Sequence, residues 1–249
     1  MREPVSPPAD RIPDVLLRRA EERFHSHHDW LESWHSFSFA GHYSPDWMGF
    51  GPLRVINDDT IAAGRGFGMH PHRDMEIITV MIQGQLNHRD SMGNSGVINA
   101  GDDQRMSAGT GIVHSEMNEG HEACRLLQIW IEPSAEGLSP AYEQRTFSIG
   151  SSTWTPLLAP NDPSVMAIER PVSVWRAQPS ADQELPWPAQ SIERGWIQMI
   201  EGEIELTRPS AASIRLRKGD GLGFKGSSSD LKILQSHSEN SDVLLFALQ

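Results

Sequence analysis

The sequence predicts an all-β protein made of two related barrels in tandem. Three observations carry that expectation. Short apolar runs recur between Gly, Asp and Asn turn signals from about Phe37 onward. No long helical periodicity competes with them. One strand–turn–strand pattern also occurs twice, at the same spacing.

Taken in order, residues 1–14 hold four prolines and read as a loose tail. Residues 15–35, rich in His, Arg and Glu, read as a short helix and turn. LRVIN (53–57), EIITVMI (76–82), RMSA (105–108) and CRLLQIWI (124–131) follow as strands, punctuated by Gly84, the DSMGN turn at 90–94 and Gly101-Asp102. Short β-branched runs bounded in this way indicate an antiparallel sandwich or barrel. In the second half GWIQMIEGEIEL (195–206) repeats the pattern of IITVMIQGQLN (77–87). Gly84 and Gly101 stand 17 residues apart, as do Gly202 and Gly219. An internal duplication is the simplest source of that equality. The expected division is a first barrel over 15–135, a Pro-containing linker over 136–165, and a second barrel over 166–249.

The chain has 249 residues and a net charge of −12. An acidic surface repels phosphate backbones and anionic headgroups, which argues against direct nucleic-acid or membrane binding. Cys124 is the single cysteine, so neither an intrachain disulfide nor a thiolate metal cluster is available. No window approaches the roughly 18 apolar residues of a membrane helix. The N-terminus lacks the apolar stretch of a secretory signal. The expected location is the cytoplasm.

Among the 11 histidines, His70-Pro71-His72 precedes one strand, and His114-Ser115-Glu116 stands at the end of another. Residues two apart on a strand face the same way. Two such pairs on neighbouring strands can converge on one point. Three imidazoles and a carboxylate suit iron, zinc, nickel, copper or manganese. Gly64, Gly66, Gly68, Gly109 and Gly111 surround the pairs and permit tight turns and close backbone approach.

GFGMHPHRDMEIITVMIQG (66–84) and SAGTGIVHSEMN (107–118) resemble the two cupin motifs in their pirin form. WHSFSFAGHY (34–43), LRVINDD (53–59) and QIWIEP (128–133) are also similar to pirin signatures. The match covers most of residues 15–147 and is nearest to bacterial pirin-like quercetin 2,3-dioxygenases. It implies two cupin barrels in one chain, with one divalent transition metal in the N-terminal barrel. Fe(II) is the first expectation, with Zn, Ni, Cu, Mn or Co as alternatives. The implied ligands are His70, His72, His114 and Glu116. Many cupins take a carboxylate from the first motif; the candidate here is Glu76, and pirins use the second-motif Glu instead. The implied activity is opening of a quercetin-like flavonol by O2 with release of carbon monoxide, Glu116 serving as base. The alternative is a redox sensor that binds a protein partner. A metal-assisted isomerase is a third possibility, since fold does not fix function. A deep apolar cavity reaching the histidines would favour catalysis, and a sealed site would favour sensing.

Other residues have plainer expectations. His25, His27 and His28 read as a solvated cluster, and His35 and His42 as structural or near a pocket mouth. His88 and His121 carry no assignment. Trp34, Phe37 and Phe39 are candidates for a pocket wall or for core packing. Cys124 reads as a small buried hydrophobe. Counting back from Gly202 as from Gly84, the places of His70 and His72 fall on Pro188 and Gln190, so the second barrel is expected to hold no metal.

Overall fold

The computed structural model describes residues 15–188, 192–208, 211–226 and 232–249. The tail over 1–14 and Gln190 therefore lie outside the described residues. In chain order the strands begin with β1 (Val15–Arg18), β2 (Phe24–His28), β3 (Leu31–His35), β4 (Leu53–Ile61), β5 (Gly66–His72) and β6 (Glu76–Gln83). They continue as β7 (Gln85–Asp90), β8 (Ser95–Asn99), β9 (Asp102–Ser107), β10 (Ile112–Met117), β11 (Cys124–Ile131) and β12 (Ala141–Thr146). The second half holds β13 (Thr155–Ala159), β14 (Met166–Ala167), β15 (Val172–Ala177), β16 (Glu184–Leu185) and β17 (Arg194–Glu201). It ends with β18 (Glu203–Arg208), β19 (Ala211–Arg217), β20 (Gly221–Lys225), β21 (Lys232–Ser236) and β22 (Asp242–Leu248).

Each barrel closes a large sheet over a small one. In the first, the order β12-β9-β6-β11-β4-β3-β2 faces β5-β10-β7-β8. In the second, β1-β20-β17-β22-β15-β13-β14 faces β16-β21-β18-β19. The two large sheets pack back to back. This explains why β6 and β11 read as nearly continuous apolar runs: one face lines the first barrel and the other meets the second. Phe37, Leu53 and Ile56 from the first half share a core with Trp196, Leu244 and Phe246 from the second. Each such buried side chain contributes roughly 1.5–3 kcal/mol. Contact on this scale holds the barrels as one body.

The segment 15–35 forms strands, not the expected helix. Its polar residues alternate along a hairpin in which Phe24–His28 pairs with Leu31–His35. Leu31, Ser33 and His35 turn inward, while His25 stacks on Trp34 at 4.0 Å on the outer face. Only a short 3-10 turn, Ala20–Glu22, is helical in this stretch. The division at residue 15 also differs from expectation. β1 pairs with β20 in the second barrel, because Val15 and Leu17 complete that barrel's core. Within 136–165, β12 pairs with β9 of the first barrel and β13 with β15 of the second. No helix among the described residues is long and apolar enough to cross a membrane.

Candidate metal centre

β5 and β10 pair antiparallel, with His114 opposite His70 and Ile112 opposite His72. The strands come this close because Gly66 carries no side chain: a Cβ there would lie 2.3 Å from the Glu116 carbonyl oxygen. The ring centroids are 4.5 Å apart for His70–His114, 4.8 Å for His70–His72 and 4.9 Å for His72–His114. One ligand atom from each of the three lies within 4.8 Å of the others.

The donor chemistry fits a metal ion. His70 donates from Nδ1 to the Gly68 carbonyl at 2.7 Å, which leaves Nε2 with its lone pair free. His114 is buried, and neither of its ring nitrogens has a hydrogen-bond partner among the described residues. Burial, reinforced by His70 and His72, pulls His114 down to about 3. Burial and then His70 pull His72 down to about 4. Both rings are therefore neutral at ordinary pH, the form that ligates a metal.

Glu116 stands two residues beyond His114, wholly enclosed. Gln104 donates to its Oε1 at 2.7 Å, and Gln128 to its Oε2 at 2.7 Å. Thr79 adds a longer contact to Oε1, at 3.3 Å. Burial pushes the carboxyl up to about 7, against the opposing pull of these three donors. Within 4.8 Å Glu116 groups with His88 and His114 rather than with His70 and His72, so His114 belongs to both sets.

The donors to Glu116 belong to a polar row across the large sheet. His35 faces Asn57, Asn57 faces Gln128, Gln128 faces Thr79, and Thr79 faces Gln104 on successive strands. His35 Nδ1 bonds Asn57 Oδ1 at 2.8 Å, and Ser33 donates to Asp59 beside it. Burial pushes Asp59 up to about 7. A cavity of about 340 Å³ opens above this row and reaches His70, His72 and Glu116. Trp30, Phe39, Phe67 and Trp130 form its apolar walls.

A description of the pirin family matches residues 17–131, and one of the quercetinase C-terminal cupin domain matches residues 157–248. Quercetin 2,3-dioxygenase of Escherichia coli (strain K12) is 41% identical over 236 residues, which are 94% of this chain and 98% of that protein. The chain belongs to the pirin family. A crystal structure of the bacterial pirin YhhW from Escherichia coli in complex with nickel(II) has a TM-score of 0.84 to this pirin. The two are 40% identical, over 94% of this chain and 98% of the other. The Escherichia coli protein YhaK shares the fold, with a TM-score of 0.72 at 20% identity over 92% of this pirin and 94% of YhaK. The two barrels of this pirin are cupins.

Some of the remaining sequence candidates fall where the sequence suggested and others do not. Of Trp34, Phe37 and Phe39, Phe39 lines the cavity. Phe37 packs on Trp196 between the barrels at 4.9 Å. His28 is exposed, as expected, and also lines the cavity together with Ser26. Glu76 is buried and accepts a hydrogen bond from Ser107 at 2.6 Å, in neither ligand group. Cys124 is buried and free. His237 lies 3.2 Å from Glu205. The sequence pattern did not single out Thr79 and Gln128, which sit inside apolar runs, or Gln104, which sits between Asp103 and Arg105 in a polar one. It also missed His88, although Leu86, His88 and Asp90 alternate toward the interior of β7.

Proposed function

We propose that the chain is a metal-dependent dioxygenase that opens a flavonol of the quercetin type with O2 and releases carbon monoxide. His70, His72, His114 and Glu116 would hold one divalent transition metal, Fe(II) first among the candidates. The observation that carries this reading is the cavity: it is walled by aromatic side chains and ends on the histidines and Glu116. A flat phenolic ligand needs such walls, and a sealed site would have favoured sensing.

A divalent ion at this place would supply Lewis acidity toward adjacent hydroxyl and carbonyl oxygens. Trp30, Phe67 and Trp130 would hold the flat rings and exclude water. Glu116, fixed by Gln104 and Gln128, would accept the proton of the 3-hydroxyl at a carboxylate oxygen. The resulting electron-rich ring reacts with O2, both oxygen atoms enter the opened product, and one ring carbon leaves as carbon monoxide. His35 and Asn57 would contribute polar contacts along the cavity's other wall.

The test is flavonol consumption under air by protein reconstituted separately with iron, nickel, copper, manganese, cobalt and zinc. Carbon monoxide is trapped, and the His114→Ala protein serves as control. Metal-dependent loss of quercetin with carbon monoxide is the expected outcome. A filled site with no turnover under any of these metals would overturn the reading.

A further inference from the structure

We propose that His88, His114 and Glu116 form an inner cation site that accepts a divalent first-row transition metal through two imidazole nitrogens and one carboxylate oxygen. It goes beyond the ligand set proposed above, because it recruits His88 and does without His70 and His72.

The pairing of β10 with β7 sets Glu116 opposite His88 and His114 opposite Asp90. Cross-strand partners turn their side chains to the same face. All four residues therefore project into the barrel. One ligand atom each from His88, His114 and Glu116 lies within 4.8 Å of the other two. Their exposures are 0%, 1% and 2%.

His88 is prepared as a ligand. The Asp90 carboxylate is fixed by the Met92 and Asn94 backbone N–H groups at 2.9 and 3.0 Å, and by the Asn94 amide at 2.8 Å. A carboxylate so held accepts the bond from His88 Nε2, at 3.2 Å. The proton therefore sits on Nε2, and Nδ1 carries the lone pair. That Nδ1 is buried and has no partner among the described residues. A carboxylate behind one nitrogen and an ion before the other is the usual way a metal-binding imidazole is oriented. Tyr142 stacks on the ring at 4.5 Å, with the planes 19° apart, and fixes its plane.

The remaining ligands have capacity to spare. Both His114 nitrogens are unpartnered among the described residues. Glu116 Oε2 accepts one bond, from Gln128, and a carboxylate oxygen has room for a second. Two imidazoles and one carboxylate leave open positions and favour iron, cobalt or nickel over calcium or magnesium.

The experiment uses the full-length protein with His70→Asn and His72→Asn together. Both positions are partly exposed on β5, so the fold tolerates the change, and circular dichroism checks it. Co(II) and Ni(II) are titrated by calorimetry, and the Co(II) visible bands are followed in parallel. The expected result is one equivalent bound, with His88→Phe in the same background weakening it at least a hundredfold. Phenylalanine keeps the stack on Tyr142 and removes only the nitrogens. No uptake by the doubly substituted protein would overturn the inner site while leaving the four-ligand set standing. Uptake indifferent to His88→Phe would overturn it as well.

Discussion

Gln128 donates its side-chain amide to Glu116 Oε2 at 2.7 Å, which ties the large sheet of the first barrel to the small one. Gln104 does the same for Oε1. A carboxylate enclosed in this way depends on its donors. Gln128→Leu and Gln104→Leu should each destabilise the protein by about 1–3 kcal/mol, the cost of leaving a buried polar group unmatched. Denaturant titration measures this. A loss near zero for both would mean that Glu116 finds other partners.

Metal binding should raise the melting temperature. An ion that binds only the folded state stabilises it by about 2.7 kcal/mol at one hundred times its dissociation constant. His114→Ala should abolish this gain, because His114 belongs to both ligand groups. Differential scanning calorimetry with and without Ni(II) is the check. An undiminished gain in His114→Ala would remove that residue from the centre.

Asp103 gives a pH signature of its own, beside Arg176 of the second barrel. It is fully buried on β9, neither carboxylate oxygen has a partner among the described residues, and Arg176 lies close enough to pull its pKa down. Burial prevails and pushes it up to about 7, from 3.8. The folded state thus holds this proton more tightly than the unfolded one. Its contribution to stability is full below the unfolded value and is lost as pH rises through about 7. Asp103→Asn removes that dependence. The stability of the variant relative to the natural protein should grow between pH 4 and 7, by at most about 1.4 kcal/mol per pH unit, and level off above pH 8. A pH-independent difference in urea titrations would contradict the assignment.

Arg125 bridges the barrels. It grips Asp58 through Nε and Nη2 at 2.8 and 2.9 Å, and it also pairs with Glu201 of the second barrel. Among the described residues, Arg125→Met leaves the Asp58 carboxylate the longer ion pair with Arg23, at 3.6 Å. The expected loss is about 3 kcal/mol, as for other buried pairs broken from one side. Asp58→Asn in the same protein should recover part of it. Additive losses in the double variant would show that the two side chains do not act as a pair.

The legible part of this molecule is the part that a period of two can carry. His70 and His72, and His114 and Glu116, are each two apart, so one strand suffices to align each pair. The equal spacing of Gly84–Gly101 and Gly202–Gly219 likewise showed the duplicated barrel. Thr79, Gln104 and Gln128 were hidden because their meeting depends on register across three strands; Thr79 and Gln128 are surrounded by apolar residues, and Gln104 by the charged Asp103 and Arg105. His88 was hidden for the same reason: its neighbours are set by β10, more than twenty residues away. Residues 15–35 were misread because their polar side chains alternate around a hairpin whose inner face is itself partly polar, with Ser33 and His35 turned inward.

The crossing of β1 has a topological consequence. Its four residues cover one side of β20, and Asp220 clasps the backbone N–H of Ala20 and the guanidinium of Arg19 at 2.8 and 2.9 Å. The second barrel therefore borrows its outermost strand from the start of the chain. Excised alone, it would present Gly221–Lys225 as a bare edge, ready to capture a strand from another copy. The two cupins are consequently not interchangeable modules. Shuffling or truncating them would yield swapped oligomers or aggregates, and the duplication persists as an interlocked pair.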